Sequence, residues 1–291
     1  EMGKVYRSAV GECEGTAFAI EENIKLAEKA SETEIFKDGP LVTEVHHIPI
    51  GVVAVITPWN FPVGMPESLL SPAILMGNTV VFKPSENTPL TGKAIYDIFN
   101  RHLPKGVINL LQGAEEVGEA LLSSDIDMVS FVGSQAVGKK IMEACSKKLN
   151  RLVLELGGKD PMIVLKDADL DKAVNYAVNG SLRNSGQVCV SVERIYVDQS
   201  IFSKFEKMVL DKVKTYRVGD GFDDVDMGPV VSESQRNHVL TQIEDAKRKG
   251  AKVLFGGSAM ERKGFFIEPT VISNLNHKHD IMITETFGPV I

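Results

Sequence analysis

Residues 128–158 read MVSFVGSQAVGKKIMEACSKKLNRLVLELGG and carry one strand–helix–strand pattern. The apolar run Met128–Val132 is followed by a helical pattern over 135–148 and by a second apolar run, Leu152–Leu156. Continuous apolar runs are typical of strands covered on both faces, and a helix between two of them indicates a parallel crossover. The stretch therefore predicts one β–α–β unit.

The same alternation extends toward the N-terminus. Apolar runs at Val52–Ile56, Thr79–Phe82 and Val107–Leu111 alternate with helical patterns over 64–76, 88–102 and 114–123. This repetition predicts an α/β fold with a doubly wound, mostly parallel sheet. Residues 11–30 favour an amphipathic helix, and residues 33–49 an extended arm.

The alternation restarts after Gly157-Gly158. The second half has strand patterns at Met162–Leu165, Arg194–Val197, 252–255 and 269–273, and helical patterns over 170–183, 201–214 and 232–249. The double glycine is a natural boundary, so the sequence predicts two α/β lobes, residues 1–157 with the arm and residues 158–291. Clefts between lobes commonly bind ligands.

Composition excludes several functional classes. The chain has 291 residues and a net charge of −7, from 32 Lys and Arg against 39 Asp and Glu, which argues against a nucleic acid or an anionic membrane as partner. Three cysteines favour a reducing compartment without disulfides, and hence a cytoplasmic location. The histidines lack metal-ligand spacing, so we expect no metal site and expect these side chains to be solvated: His46, His47, His277 and His279.

Three side chains together match the parts of an acyl-transfer site. Cys189 ends the Gly- and Ser-containing turn that begins at Asn184, a polar setting that suits a nucleophilic thiolate. Glu155 could serve as a base, and Asn60 could donate its side-chain amide to an oxyanion. Each residue taken alone more often has an ordinary structural role: the cysteine as a small buried residue, the glutamate as a surface or capping carboxylate, and the asparagine as a turn residue.

The signal for a nucleotide is indirect because the chain contains no G-x-G-x-x-G. Gly133 and Ser134 stand between a strand and a helix, where free backbone N–H groups suit a phosphate. The segment approaches a P-loop but has Lys140 where a magnesium-binding hydroxyl is required, which argues against an NTPase. A plain strand–helix turn remains the alternative.

Lys83 and Glu86 follow another strand, at the edge where open α/β sheets bind ligands. They could hold the hydroxyls of an adenosine ribose, and the carboxylate would repel a 2′-phosphate, which favours NAD over NADP. The alternative is a solvated charged turn.

Taken in order, these motifs resemble the aldehyde dehydrogenase superfamily, in its hydrolytic branch. They are Trp59-Asn60, Lys83 with Glu86, Gly133-Ser134, Glu155-Leu156-Gly157-Gly158, Gly186-Gln187-Val188-Cys189 and Glu285-Thr286-Phe287-Gly288-Pro289. The resemblance covers essentially the whole chain, and family members extend beyond both of its ends. It implies a Rossmann-like cofactor lobe over 1–157, incomplete at its N-terminus, and a catalytic lobe over 158–291, incomplete at its C-terminus.

The resemblance also implies NAD-dependent oxidation of an aldehyde to a carboxylic acid through a thiohemiacetal and a thioester. Cys189 would be the nucleophile, Asn60 an oxyanion donor and Glu155 the hydrolytic base. The residues implied in cofactor binding are Trp59, Lys83, Glu86, Gly133, Ser134, Glu285 and Phe287.

The family further implies a homodimer or homotetramer in which the arm pairs with another subunit. Two alternatives stay open at this point. One is acyl transfer to coenzyme A, which Glu155 argues against because that branch needs no hydrolytic base. The other is a non-catalytic fragment that binds only nucleotide or other subunits.

Overall fold

A computed structural model describes all residues, 1–291, and they form two compact units. The first comprises Glu1 and Val10–Leu156, and the second Met2–Ala9 and Gly157–Ile291. The sequence did not predict that the N-terminal segment groups with the second unit. The Tyr6 N–H donates to the Gly221 carbonyl at 2.8 Å, and Gly3 lies against Pro229, so several contacts join this segment to the second unit. The first helix, α1, spans Tyr6–Ala30.

The predicted arm is a β-hairpin. Strands β1 (Glu34–Asp38) and β2 (Leu41–Val45) pair antiparallel, from Glu34 opposite Val45 to Asp38 opposite Leu41. Gly39 and Pro40 are the two loop residues between Asp38 and Leu41. Gly39 has a φ of +57°, and glycine at the first central position is typical of a type II′ hairpin turn. Every residue of both strands is exposed, including apolar ones.

A parallel sheet of five strands lies at the centre of the first unit, in the order β5-β4-β3-β6-β7. In chain order its elements are β3 (Val52–Ile56), α2 (Gly64–Leu75), β4 (Thr79–Lys83), α3 (Pro89–His102), β5 (Ile108–Leu110), α4 (Glu115–Ser123), β6 (Met128–Gly133), α5 (Gln135–Ser146) and β7 (Arg151–Leu156). The prediction of an α/β fold with a parallel sheet is confirmed.

Helices cover both faces of this sheet. Val53 and Val55 of β3 pack in one buried cluster with Leu70 of α2, whereas Ala54 between them packs in another with Ile141 of α5. Neighbouring strand residues point to opposite faces, so both faces must be apolar. Burying an aliphatic side chain of this kind stabilises the fold by about 1.5–3 kcal/mol.

The strands of the second unit form two pairs. In chain order its elements are β8 (Pro161–Val164), α6 (Leu170–Leu182), β9 (Arg194–Val197), α7 (Phe202–Val213), α8 (Glu233–Arg248), β10 (Lys252–Phe255) and β11 (Val271–Ser273). β8 and β9 pair in parallel, and β10 and β11 antiparallel. A core cluster joins α6 and α7, with Val178, Leu182 and Phe205 among its members.

His279 corrects one sequence-based expectation. Its side chain is buried, at 3% exposure, rather than solvated. The Asn276 N–H donates to its Nδ1 at 3.1 Å, and this local turn folds the ring inward.

None of the helices is both long enough and apolar enough to span a membrane.

Candidate functional site

The turn before Cys189 has an unusual backbone. After α6 ends at Leu182, Asn184, Ser185 and Gly186 have φ values of 53°, 59° and 72°. Such left-handed conformations cost about 1–3 kcal/mol each for residues other than glycine, so surrounding contacts must maintain them. Three consecutive residues of this kind direct the chain sharply toward Cys189.

Buried hydrogen bonds hold this turn. The Ser185 hydroxyl donates to the Gly228 carbonyl at 2.8 Å. Gln187, which is fully buried, accepts from the Val231 N–H at 2.8 Å and donates to the Asn184 carbonyl at 3.0 Å. A fixed turn of this kind presents the half-buried Cys189 in one orientation.

The environment of Cys189 favours the neutral thiol. Burial raises the pKa of the Cys189 thiol, and the negative charges of Glu285 and Asp160 raise it further. The backbone N–H groups of Cys189 and Val190 act in the opposite direction. Neutralising Glu285 would therefore make the thiol more acidic.

Glu285 lies against the Gly157-Gly158 turn. A Cβ atom built on Gly157 would be 2.2 Å from Glu285 Oε1, so only glycine permits this approach. The Gly158 backbone N–H also bonds to this carboxylate. Burial, reinforced by the charge of Glu193, raises the pKa of Glu285 to about 7.

The turns that carry Cys189 and Glu285 touch each other. A Cβ atom on Gly186 would be 2.0 Å from the Gly288 carbonyl oxygen. The second unit therefore brings together Cys189, Glu285 and Phe287, three of the residues that the sequence analysis singled out.

A buried polar network that the sequence analysis missed supports the Glu285 turn. Lys159 and Glu193 form an ion pair with side chains 5% and 6% exposed. Glu193 accepts the backbone N–H groups of Thr286 and Phe287, both at 2.9 Å. The only local signals were a lysine directly after the double glycine and a glutamate just before β9.

The remaining predicted residues lie at the carboxyl ends of strands in the first unit, which is the edge where open parallel sheets bind ligands. Trp59 and Asn60 follow β3, Lys83 ends β4, Glu86 follows it, Gly133 ends β6, Ser134 follows it, and Glu155 lies near the end of β7. The parallel arrangement of the strands thus collects all seven along one edge.

The predicted residues at this edge of the sheet differ in burial. Asn60 and Lys83 are buried, at 3% and 5% exposure, whereas Glu86 and Glu155 are exposed. Lys83 Nζ lies 4.0 Å from Glu86 Oε2. Burial lowers the pKa of Lys83, and the charges of Glu86 and Glu116 oppose this shift.

Ser134 is the N-cap of α5. Its hydroxyl accepts the Val137 N–H at 3.3 Å, and this bond fixes the start of the helix. A helix N-terminus directly after a strand can accommodate an anion.

Comparisons with known proteins identify the family of this chain. A family model described as "Aldehyde dehydrogenase family" matches residues 1–291. The chain is 40% identical over 294 residues to aldehyde dehydrogenase 1A1 of Homo sapiens, a match that covers 99% of this chain and 59% of the human protein.

Two solved structures are similar over the full length of the chain. Betaine aldehyde dehydrogenase of Staphylococcus aureus, in complex with NAD+, has a TM-score of 0.95, is 37% identical and is covered over 59% of its chain. An NADP-dependent enzyme of E. coli has a TM-score of 0.95, is 36% identical and is covered over 61%. The chain thus spans about three fifths of these relatives. From the matched family model and these likenesses, the chain belongs to the aldehyde dehydrogenase family.

Proposed function

We propose that the protein oxidises an aldehyde to a carboxylic acid with a nicotinamide cofactor, and that Cys189 is the nucleophile. The observation that carries the proposal is the contact between the Cys189 and Glu285 turns at Gly186 and Gly288. Membership of the family supports the reaction class.

In the proposed reaction, Cys189 adds to the aldehyde carbon as the thiolate, which is the minor form because burial raises the pKa of the thiol. The addition gives a thiohemiacetal whose oxygen carries the negative charge. The side-chain amide of Asn60 and the backbone N–H of Cys189 stabilise this oxyanion, and removal of one such donor costs on the order of 3 kcal/mol. Collapse of the oxyanion breaks the C–H bond of the thiohemiacetal, expels a hydride that the nicotinamide cofactor would accept, and leaves a thioester on Cys189. Glu155 then takes a proton from water, which attacks the thioester and releases the acid and the thiol.

The bound cofactor supplies the hydride acceptor. The residues present fit such a group: α5 offers its N-terminus beside Ser134 to a pyrophosphate, and Lys83 with Glu86 offers a buried cation and an exposed carboxylate to a ribose. Glu285 would accept hydrogen bonds from the hydroxyls of the nicotinamide ribose, Phe287 would pack against the nicotinamide ring, and Trp59 would belong to the same cofactor site. Glu86 would repel a 2′-phosphate, which favours NAD over NADP.

The protein further acts as a cytoplasmic homodimer or homotetramer. Support for assembly comes from the hairpin, on which apolar side chains such as Phe36 and Leu41 are more than half exposed, at 56% and 62%. Unpaired, exposed strand edges favour pairing with another chain. All three cysteines are free, which suits a reducing compartment.

The test is NADH formation with a panel of aldehydes, compared between the parent, Cys189→Ala and Cys13→Ala. Cys13 is exposed on α1, so its variant is the matched control. We expect activity in the parent and the control and none in Cys189→Ala. An unchanged rate in Cys189→Ala would refute the proposed nucleophile, and a folded parent that binds NAD without forming NADH would favour a nucleotide-binding role.

A further inference from the structure

The Glu193 carboxylate is fully engaged by protein groups. Its Oε2 accepts the Thr286 N–H and its Oε1 accepts the Phe287 N–H, both at 2.9 Å. Lys159 pairs with it, and the side chain is only 6% exposed. A carboxylate with a hydrogen bond to each oxygen and almost no access to solvent is suited to hold a structure in place rather than to exchange protons with a substrate.

The backbone that Glu193 holds is strained. Phe287 has a φ of 51°, in the left-handed region that residues with a Cβ atom avoid. Successive backbone N–H groups in such a turn form a concave anion site. Here the anion is the Glu193 side chain itself, so the turn depends on that charge.

Lys159, the partner of Glu193, contacts the residue that follows Glu285. Its Nζ donates to Thr286 Oγ1 at 2.8 Å. Along the chain it directly follows Gly157-Gly158, against which the Glu285 carboxylate lies. The ion pair therefore fixes both the backbone that carries this carboxylate and the glycine turn that receives it.

We propose that Glu193, paired with Lys159, is a positioning residue that holds the Glu285–Phe287 turn in the conformation that binds the nicotinamide end of the cofactor. This inference rests on the proposed function, because it assigns a role within the same site. Neither residue needs to touch the cofactor.

The charges around Glu285 provide a second readout, the pKa of its carboxyl group. A purely structural role for Glu193 would leave this pKa unchanged. Glu193 and Asp160 raise the pKa of Glu285, whereas Lys159 lowers it. His238 Nε2 lies 3.2 Å from the Glu285 backbone carbonyl oxygen, and the charge of the Glu285 carboxylate raises the pKa of the Cys189 thiol. Removing the Glu193 charge should lower the pKa of Glu285, and with it the pH at which cofactor binding is half-maximal.

The experiment measures the Kd for NAD by titration calorimetry across roughly pH 5 to 9 for the parent and Glu193→Gln. Glutamine offers one acceptor oxygen to two N–H groups, so we expect the Kd at high pH to rise about tenfold. The binding midpoint should also move to lower pH. Glu233→Gln is the control, since Glu233 is an exposed carboxylate at the start of α8, paired with Arg236.

A second variant distinguishes a loss of cofactor binding from a loss of folding. Glu193→Gln alone leaves Lys159 buried without its partner, which can unfold the protein. Lys159→Met/Glu193→Gln removes both charges and still lacks one acceptor, so it should fold and show the same loss of affinity.

The outcomes separate this inference from the proposed function. A parent that binds no nicotinamide cofactor overturns both. A parent that binds NAD, with either variant folded and matching its Kd and midpoint, overturns only the positioning role. Unfolding of both variants also overturns it, because the pair would then be required for the fold rather than for the turn.

Discussion

Replacing Gly186 with alanine should damage the site through one defined contact. The new Cβ would lie 2.0 Å from the Gly288 carbonyl oxygen, and real Cβ contacts are essentially never below 3.0 Å, so the two backbones must separate by about 1 Å. A displacement of about 1 Å near reacting groups can lower a rate about a hundredfold. We therefore expect kcat/KM for aldehyde oxidation to fall on the order of a hundredfold.

Stability should fall as well. A left-handed φ of 72° costs a residue with a Cβ atom roughly 1–2 kcal/mol, and overpacking adds about 1–3 kcal/mol. The expected loss in the free energy of unfolding is thus about 3 kcal/mol, measured by urea denaturation. Gly250→Ala measures the cost of the left-handed φ without overpacking, since Gly250 has a φ of +95° and no atom within 4 Å of its Cβ position. If the two variants matched in both activity and stability, the steric argument would be refuted.

Two further predictions concern Glu285 and Ser185. The pKa of Glu285 is about 7 in the folded protein against an ordinary 4.5, so the native state holds more protons between these values and stability should fall as the pH rises through them. After allowance for partial exposure the loss is roughly 1–2 kcal/mol, and denaturation of Glu285→Gln should show a flatter pH profile; an identical profile would contradict the assignment. Ser185→Ala removes the buried hydrogen bond to the Gly228 carbonyl and should cost about 1–3 kcal/mol in thermal or urea unfolding, whereas Ser200→Ala, on the surface, should cost less than about 0.5 kcal/mol. Equal losses in the two serine variants would argue against a role for the buried bond.

The strands and helices were predictable because their signals are local. The apolar run Val52–Ile56 coincides with β3, and the helical pattern over 170–183 differs from α6 by a single residue. Both patterns arise because a strand or helix buries one or both of its faces. The spacing of apolar residues along the sequence indicates this burial directly. The motif residues at strand ends could be placed for the same reason, since a parallel sheet gathers its carboxyl ends.

The features that sequence reasoning missed depend on distant partners. Glu193 contacts backbone groups 93 and 94 residues further along the chain, and no pattern around it indicates burial. The hairpin was predicted only as an extended arm, because a period-two pattern specifies a strand without its partner. The left-handed Asn184 and Ser185 are residue types that occur in many turns, so their sequence alone does not specify the conformation.

The ion pair between Lys159 and Glu193 also has a consequence for folding kinetics. The hydrogen bond from Lys159 to Thr286 spans 127 residues, so the Glu285 turn is closed only after a very long loop has formed. Contacts of such high sequence separation are entropically costly to form early and slow the approach to the native state. Weakening this network should therefore accelerate unfolding more than it slows folding. During synthesis on the ribosome, Gly186 is made before Gly288, so the contact between the Cys189 and Glu285 turns can form only after the later segment has been made.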